Sequence, residues 1–249
     1  MRSAVLAVAA TIIWAGAASA APLTPTFDEF ADLPQATFGG TDIPTNPTAI
    51  VTFETDEDPG SSNTVTLGLS ATQRFFNPPL TNDGNGTYFA QIGANNGGPG
   101  ATSAFIGALW NFNFFVSIEG PGSTTLGDLG LALFYDFDPG FDTEFAELGS
   151  LNQDALLFIG NSGDPSIIES SQNLNFAFLD DDTQAPFINP PLFPAFDPLA
   201  IGQYSFALDA SNFDARVAIN VEAVPLPGAA LLLLTGLGGL MMFRRKAVA

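Results

Sequence analysis

The feature that most constrains the fold is an alternation of apolar and polar side chains in two stretches near the middle of the chain. In residues 110–119 large apolar side chains occupy every second position, and residues 129–137 repeat the pattern. Since successive side chains of a strand point to opposite faces, each stretch predicts a half-buried antiparallel strand. Phe115 interrupts the polar face of the first stretch, which predicts that this face is partly covered.

Short strands are predicted along most of the chain, because apolar runs alternate with segments rich in Gly, Pro, Asn and Asp that favour turns. Gln203–Ala210 and Arg216–Ala223 predict a hairpin. The other predictions are strands at 49–55, 63–70, 87–92, 156–160 and 173–180, and helical turns at 141–149. Eight or nine short strands without an internal repeat predict an all-β fold, an antiparallel β-sandwich of jelly-roll or immunoglobulin-like type.

The domain organisation follows from composition. Residues 21–48 are rich in Pro and Thr and predict an irregular lead-in, because Pro excludes regular strand pairing. Residues 49–223 carry the predicted strands and form the predicted sandwich. The chain contains 24 Phe, enough large apolar side chains for one sizeable core.

Charge restricts the partners of this predicted sandwich. All 26 Asp and Glu residues lie between Asp28 and Glu222, a stretch whose only cations are Arg74 and Arg216, so its net charge is −24. Such a field repels phosphate backbones, which excludes nucleic acid as a partner.

The chain contains neither Cys nor His. It therefore has no disulfide, no thiolate or imidazole metal site, and no catalytic triad that depends on His. We expect a non-enzymatic protein. The enzymatic alternative that stays open is a glycoside hydrolase with a carboxylate pair, which needs only one acid and one base.

Four carboxylates follow the second alternating stretch and bracket Pro139–Gly140. They are Asp136, Asp138, Asp142 and Glu144. Alternate carboxylates in a turn can supply the oxygen ligands that Ca²⁺ prefers, which makes calcium the candidate cofactor, although the spacing is not that of an EF-hand. The alternative is a solvated acidic turn.

Aromatic side chains offer a second candidate site. Trp110, Tyr88, Tyr135 and Tyr204 could stack on sugar rings, which would make the sandwich a calcium-supported carbohydrate-binding module. Trp110, Tyr135 and Tyr204, however, fall on the apolar face of predicted strands. Core packing is therefore the favoured interpretation.

Residues 1–20 have the composition of a signal peptide. Arg2 precedes a nearly continuous apolar stretch, and the small residues Ala18 and Ala20 flank Ser19 in the pattern that signal peptidase cleaves. We expect the exported chain to begin at Ala21.

Residues 224–249 have the composition of a membrane anchor. The run from Val224 to Phe243 contains 20 residues and no charge. As a helix it would span about 30 Å, the thickness of a hydrocarbon core. Arg244, Arg245 and Lys246 follow it, as expected for the cytoplasmic end of a single transmembrane helix.

The same segment resembles the PEP-CTERM class of C-terminal sorting signals in the VPLPA variant, which combines a Pro-containing motif, a helix and a basic end. Val224, Pro225, Leu226 and Pro227 match the motif, and Arg244 to Lys246 match the basic end. Gly228 departs from the Ala that often follows the motif. The alternative is an ordinary single-helix tail anchor.

The resemblance also implies a cellular location. It implies processing by an exosortase-type membrane peptidase in a Gram-negative bacterium, after an intermediate anchored in the inner membrane. The final destination is then the cell surface or the extracellular matrix, where exopolysaccharide is the partner that the resemblance implies. The tail specifies an address and not an activity.

Overall fold

The computed structural model describes residues 22–56, 58, 60–75, 78–95, 106–160, 163–193 and 195–225. Fourteen strands and one α-helix form within these ranges. The strands are β1 Glu29–Ala31, β2 Thr48–Glu54, β3 Thr64–Gln73, β4 Thr81–Asn82, β5 Thr87–Gln91, β6 Ala94–Asn95, β7 Gly107–Ala108, β8 Trp110–Glu119, β9 Leu131–Tyr135, β10 Gly149–Asn152, β11 Ile167–Gln172, β12 Ile188–Asn189, β13 Gly202–Ala210 and β14 Ala215–Val224.

Two main sheets build an all-β sandwich, which confirms that prediction. One sheet has the order β1-β2-β3-β8-β11, and the other has the order β12-β10-β9-β13-β14-β5-β4. Strands β6 and β7 form a separate small ribbon. The jelly-roll or immunoglobulin-like type stays a prediction.

One pairing departs from the expected antiparallel arrangement. Strands β14 and β5 run parallel, with Val221 opposite Tyr88. These two strands are far apart in the sequence, so no tight turn between them imposes the antiparallel direction. The prediction of a wholly antiparallel sandwich is wrong at this pair.

The core forms between the inner faces of the two sheets, where the alternating apolar side chains meet. The ring of Phe112 in β8 stacks on that of Phe206 in β13, with 4.7 Å between centroids. Trp110 contacts both Tyr204 and Phe206. The alternation in both central stretches therefore predicted the buried face correctly.

The outer face of the five-stranded sheet is covered by the lead-in. Phe115 is fully buried there, in a second apolar cluster with Leu33, Ala36, Phe38 and Ile50. The lead-in contains the short strand β1, which pairs with β2, and is otherwise irregular. Phe115, the apolar residue that interrupts the polar face of β8, is thus covered by side chains of the lead-in.

Two of the predicted strands are wrong. Residues 156–159 belong to a helix, α1 Gln153–Ile159, and Gly160 is its C-cap. The side chain of Asn152 caps the start of this helix by accepting the backbone N–H of Ala155 at 3.0 Å. Residues 173–180 form a loop and a short 3-10 turn at Ala177–Asp180. A 3-10 turn also forms at Phe145–Glu147, where helical turns were expected.

Asn173 explains why the neighbouring strand, β11, ends before residue 173. Its side-chain amide donates to the backbone carbonyls of Ala108 and Trp110 and accepts the N–H of Ala108. A side chain therefore takes the place of the next backbone pairing, and the chain turns away from the sheet.

The predicted C-terminal hairpin forms between β13 and β14. Tyr204 lies opposite Val221, Phe206 opposite Ile219, and Leu208 opposite Val217. Strand β14 then ends at Val224, where its carbonyl accepts the N–H of Ile92 at 3.0 Å. We call this end of the sandwich the exit pole. Strands β3, β5, β9, β11 and β14 end there, and strands β8, β10 and β13 begin there.

Over the described residues, no helix has both the length and the apolar character needed to cross a bilayer.

Candidate functional site

The predicted calcium ligands lie in the turn that follows β9 at the exit pole. The side chain of Asp136 accepts the backbone N–H of Asp138 at 2.8 Å, and that of Asp138 accepts the N–H of Gly140 at 2.9 Å. The carbonyl of Pro139 accepts the N–H of Gln203 at 3.1 Å. The carboxylates of Asp136 and Asp138 thus hold the shape of the turn, and the hydrogen bond from Gln203 to Pro139 fixes the turn against the start of β13.

The residue at position 202 must be small for this docking. A Cβ atom at Gly202 would collide with the carbonyl of Pro139. Glycine therefore permits a close backbone approach that any side chain would block.

Asp136 is the most perturbed carboxyl group of the turn. It is only 1 % exposed, and burial raises its pKa to about 7, because a buried carboxylate loses its hydration. The nearby charge of Asp138 acts in the same direction, while hydrogen bonding from Asp138, Thr143 and Ser205 opposes the shift. The protonated form is therefore accessible near neutral pH.

Two buried oxygen atoms in this turn lack good partners. The Oδ2 atom of Asp136 and the Oγ1 atom of Thr143 are both buried, and neither makes a hydrogen bond of standard geometry. The Thr143 hydroxyl nevertheless lies close enough to the Asp136 carboxyl to lower its pKa, so the two side chains are neighbours in the turn. A cation or a proton on Asp136 would satisfy the carboxyl oxygen there.

The four predicted ligands do not gather around one point. Asp142 is exposed, and Glu144 pairs with Pro22 in an isolated bridge while its N–H donates to Glu147. Over the ranges the structure describes, no group of three or more acidic side chains is placed to hold a metal ion. The calcium site stays a prediction.

The predicted aromatic platform is part of the core. Trp110, Tyr88, Tyr135 and Tyr204 are all buried. The hydroxyl of Tyr88 donates to the carbonyl of Pro47 at 2.8 Å, and that of Tyr135 donates to the carbonyl of Leu179 at 2.6 Å. Core packing, the favoured interpretation, is confirmed for all four side chains.

The predicted sorting motif begins inside the sheet. Val224 is the last residue of β14 and lies opposite Gln91, while Pro225 is exposed. The rest of the motif (Leu226 and Pro227), the basic end (Arg244, Arg245, Lys246) and the signal-peptidase site (Ala18, Ala20, Ala21) lie outside the described residues.

Sequence reasoning missed a cavity of about 640 Å³ beside α1. Its walls are mainly apolar, and Asp154 and Gln184 supply polar groups. The apolar lining comprises Ala155, Phe158, Ile159, Phe178, Phe187 and Ile188. The volume falls within the range of small-molecule sites. Recognising Asn152 as a helix cap would have placed Phe158 on a helix and drawn attention to this surface.

The comparisons with known proteins give no relative: no family model, no curated protein and no solved structure matches the chain.

Proposed function

We propose that this chain is an exported, non-enzymatic protein of the cell surface or extracellular matrix. Its sandwich lies outside the cytoplasmic membrane, and a helix within residues 224–249 tethers it until an exosortase-type peptidase processes the tail. Signal peptidase acts at the other end, near Ala20. This proposal assigns the sandwich a Gram-negative envelope location and an association with exopolysaccharide.

The observation that carries the proposal is the direct passage from the sheet into the sorting motif. Val224 is both the last residue of β14 and the first residue of the motif, and Pro225 follows it at the surface. Pro also ends the strand, because it has no N–H for further pairing. The first two residues of the motif, Val224 and Pro225, therefore lie at the edge of a folded body, which supports access by a membrane enzyme.

The charge of the sandwich is consistent with an exposed position in a hydrated matrix. The stretch from Asp28 to Glu222 carries a net charge of −24. Like charges repel and keep such bodies soluble and separate. Positively charged groups of a matrix polymer, or divalent cations shared with an acidic one, would then mediate association.

Truncation after Pro225 tests the tether. This cut leaves β14 complete, including the contact of Val224 with Ile92, so the sandwich should still fold. We expect the full chain in the membrane fraction and the truncated chain in the soluble periplasmic or extracellular fraction. Continued membrane retention of the truncated chain contradicts the proposal.

A matched variant separates anchoring from processing. Replacing Pro225 and Pro227 by Ala alters the motif but leaves the apolar run and Arg244–Lys246 in place. We expect this variant to stay in the membrane at its unprocessed mass, whereas the parent chain loses its tail. Mass spectrometry of the mature protein reports both cuts, and equal processing of the two chains would remove the exosortase assignment.

The alternative function is a calcium-supported carbohydrate-binding module. The observation behind this alternative is the buried carboxyl of Asp136, whose Oδ2 atom makes no hydrogen bond of standard geometry and could accept a cation or a proton. A glycan array with and without Ca²⁺ tests this alternative, and binding that requires Ca²⁺ supports it. A glycoside hydrolase with a carboxylate pair is less favoured, because the carboxyl with the raised pKa, Asp136, is buried away from substrate.

A further inference from the structure

Exposed apolar side chains are concentrated at one end of the sandwich. Within the described residues, eight large apolar side chains are at least 46 % exposed. Two of them, Phe158 and Phe187, line the cavity beside α1. The other six lie in segments that follow or precede strand ends at the exit pole: Phe75, Ile106, Phe141, Leu192, Leu199 and Ile201.

Two of these side chains lie next to the point where the chain leaves the sheet. Ile201 directly precedes Gly202, which pairs with Ala223, the neighbour of Val224. Leu199 precedes it by two residues in the same loop. Leu199 is 63 % exposed and Ile201 is 59 % exposed, so neither contributes much to the core.

The other members surround this point. The turn that carries Phe141 is fixed to the start of β13 by the hydrogen bond from Gln203 to Pro139. Phe75 follows Arg74, whose N–H donates to the carbonyl of Leu109 at 2.8 Å, just before β8 begins. The two sheets therefore contribute to a single apolar end.

The direction of the chain identifies what covers this end. Pro225 is the first residue beyond β14, and the uncharged run to Phe243 continues from there. An extended residue spans at most about 3.6 Å. If residues after Pro227 enter a bilayer, Pro225, at the exit pole, lies within about 10 Å of the membrane surface.

We infer that the exit pole rests on the membrane surface, with Leu199, Ile201 and Phe141 at the boundary between lipid headgroups and acyl chains. This inference rests on the proposed tether. Burying such side chains in that boundary removes apolar area from water, which favours the docked orientation. The sandwich is then held against the bilayer with Val224 and Pro225 at the height where a membrane peptidase acts.

Lipid fits this end better than a second copy of the chain. The net charge of −24 between Asp28 and Glu222 opposes association of two copies. Asp142 directly follows Phe141, and Asp197 accepts the backbone N–H of Leu199 at 2.9 Å, so a zwitterionic headgroup layer is favoured over an anionic one. The expected surface is therefore one rich in uncharged lipid.

The absence of Cys permits a direct test on the full chain in phosphatidylcholine vesicles. Single variants Leu199→Cys, Phe158→Cys and Gly238→Cys each carry one environment-sensitive fluorophore, and some lipids carry a nitroxide quencher near the headgroup. Phe158 is an exposed control, since α1 follows the end of β10 that lies away from the exit pole. We expect quenching at Leu199 at least threefold stronger than at Phe158.

The three labels separate the possible failures. Quenching at Gly238 but not at Leu199 overturns the docked orientation and leaves the tether in place. No quenching at Gly238 overturns the tether itself and the proposed function with it. Excess lipid separates copies of the protein on the vesicle surface. If the emission of the label at Leu199 changes on such dilution, the label contacts a second copy, and the inference is overturned.

A second variant tests the apolar contacts themselves. Leu199→Ser combined with Ile201→Ser removes two exposed apolar side chains, and a fluorophore at Phe141→Cys then reports the orientation. We expect quenching at this label to fall at least twofold, whereas Phe158→Ser leaves it unchanged. Buried Trp110 provides a fluorescence check that each variant is folded. Unchanged quenching in the double variant overturns the inference.

Discussion

The carboxylate of Glu169 in β11 holds Thr37 of the lead-in through two hydrogen bonds. Glu169 accepts the backbone N–H of Thr37 at 2.7 Å and its hydroxyl at 2.6 Å. It also accepts the N–H of Phe38 at 2.7 Å, which places the Phe38 ring in the cluster that covers Phe115. The lead-in is therefore an integral layer of the sandwich.

We expect Glu169→Gln to destabilise the protein. Glutamine keeps one acceptor oxygen but places an NH₂ group against donors, and hydrogen bonds to a charged group contribute about 1.5–3 kcal/mol each. The free energy of unfolding should fall by about 2–4 kcal/mol, since the losses are not additive. Urea unfolding followed by Trp110 fluorescence measures it. The exposed control Glu119→Gln should change stability by less than about 0.5 kcal/mol, and an equal effect of the two variants contradicts the assigned role.

Asp136 predicts that stability falls as the pH rises towards neutrality. Its pKa is raised to about 7 by burial, whereas an Asp in an unfolded chain has a pKa near 4. Between about pH 4 and pH 7 the folded protein therefore holds a proton that the unfolded chain has released. The stabilisation is fully present below pH 4 and is lost as the pH rises through 7, by up to about 4 kcal/mol.

The variant Asp136→Asn tests this dependence, because Asn has nearly the same shape and does not titrate. With chelator present, we expect its stability to vary less between pH 4 and pH 8 and to exceed that of the parent at pH 8. Asp142→Asn, at an exposed position of the same turn, serves as the control. Hydrogen bonds lower the pKa values of Glu54, Asp128 and Asp164. The contributions of these three groups to stability therefore change below about pH 4 and do not overlap the range in which Asp136 acts. If the stability of Asp136→Asn changes with pH as steeply as that of the parent protein, the prediction is wrong.

Patterns of period two in the sequence predicted the sandwich well. Strands β8, β9, β13 and β14 lie within two residues of their predicted bounds, because one buried face per strand leaves a direct trace in the sequence. The helix α1 was mistaken for a strand, since Leu156 to Ile159 is a short apolar run without a distinctive period. The side-chain cap by Asn152 decides the outcome there.

The site was less predictable than the fold. The sequence placed Asp136, Asp138, Asp142 and Glu144 in one turn, but the distribution of their carboxylates depends on contacts with distant segments. Glu144 is drawn away by its bridge to Pro22, and Asp136 is buried against β13. The apolar exit pole combines loops from both sheets, so no local pattern could have revealed it.

Calcium should stabilise the acidic turn if Asp136 and Asp138 hold it. At pH 7.5, Ca²⁺ at 100 times its Kd would add about 2.7 kcal/mol, which corresponds to a rise in Tm of about 5 °C or more for a domain of this size. Asp138→Asn should abolish the rise, while its side-chain oxygen can still accept the N–H of Gly140. Thermal melts with Ca²⁺, Mg²⁺ and chelator measure the effect. An unchanged midpoint at low ionic strength removes calcium from the account of this turn.

Arg216 should contribute modestly to the stability of the C-terminal hairpin. Its guanidinium donates two hydrogen bonds of 2.6 Å to Asp209 on β13 and lies 4.2 Å from the ring centre of Phe145. Because the side chain is 40 % exposed, solvent screens much of the attraction. We expect Arg216→Lys to lower the free energy of unfolding by about 1 kcal/mol, since Lys cannot form the paired contact. The same substitution should cost less in a protein that already carries Asp209→Asn. An equal loss of unfolding free energy in both backgrounds contradicts the pairing of Arg216 with Asp209.

The cavity beside α1 should bind a small apolar probe. Phe158 and Phe187 form part of its wall and are exposed, so replacing both by Ser removes apolar contact area without disturbing the core. We expect the truncated chain ending at Pro225 to bind Nile red, and the double variant to bind it at least tenfold more weakly, a loss of about 1.4 kcal/mol. Leu199→Ser with Ile201→Ser is the control, because it removes two other exposed apolar side chains, which lie at the exit pole. Fluorescence titration measures both affinities. Equal weakening by the two double variants would show that the dye binds exposed apolar surface in general and not the cavity.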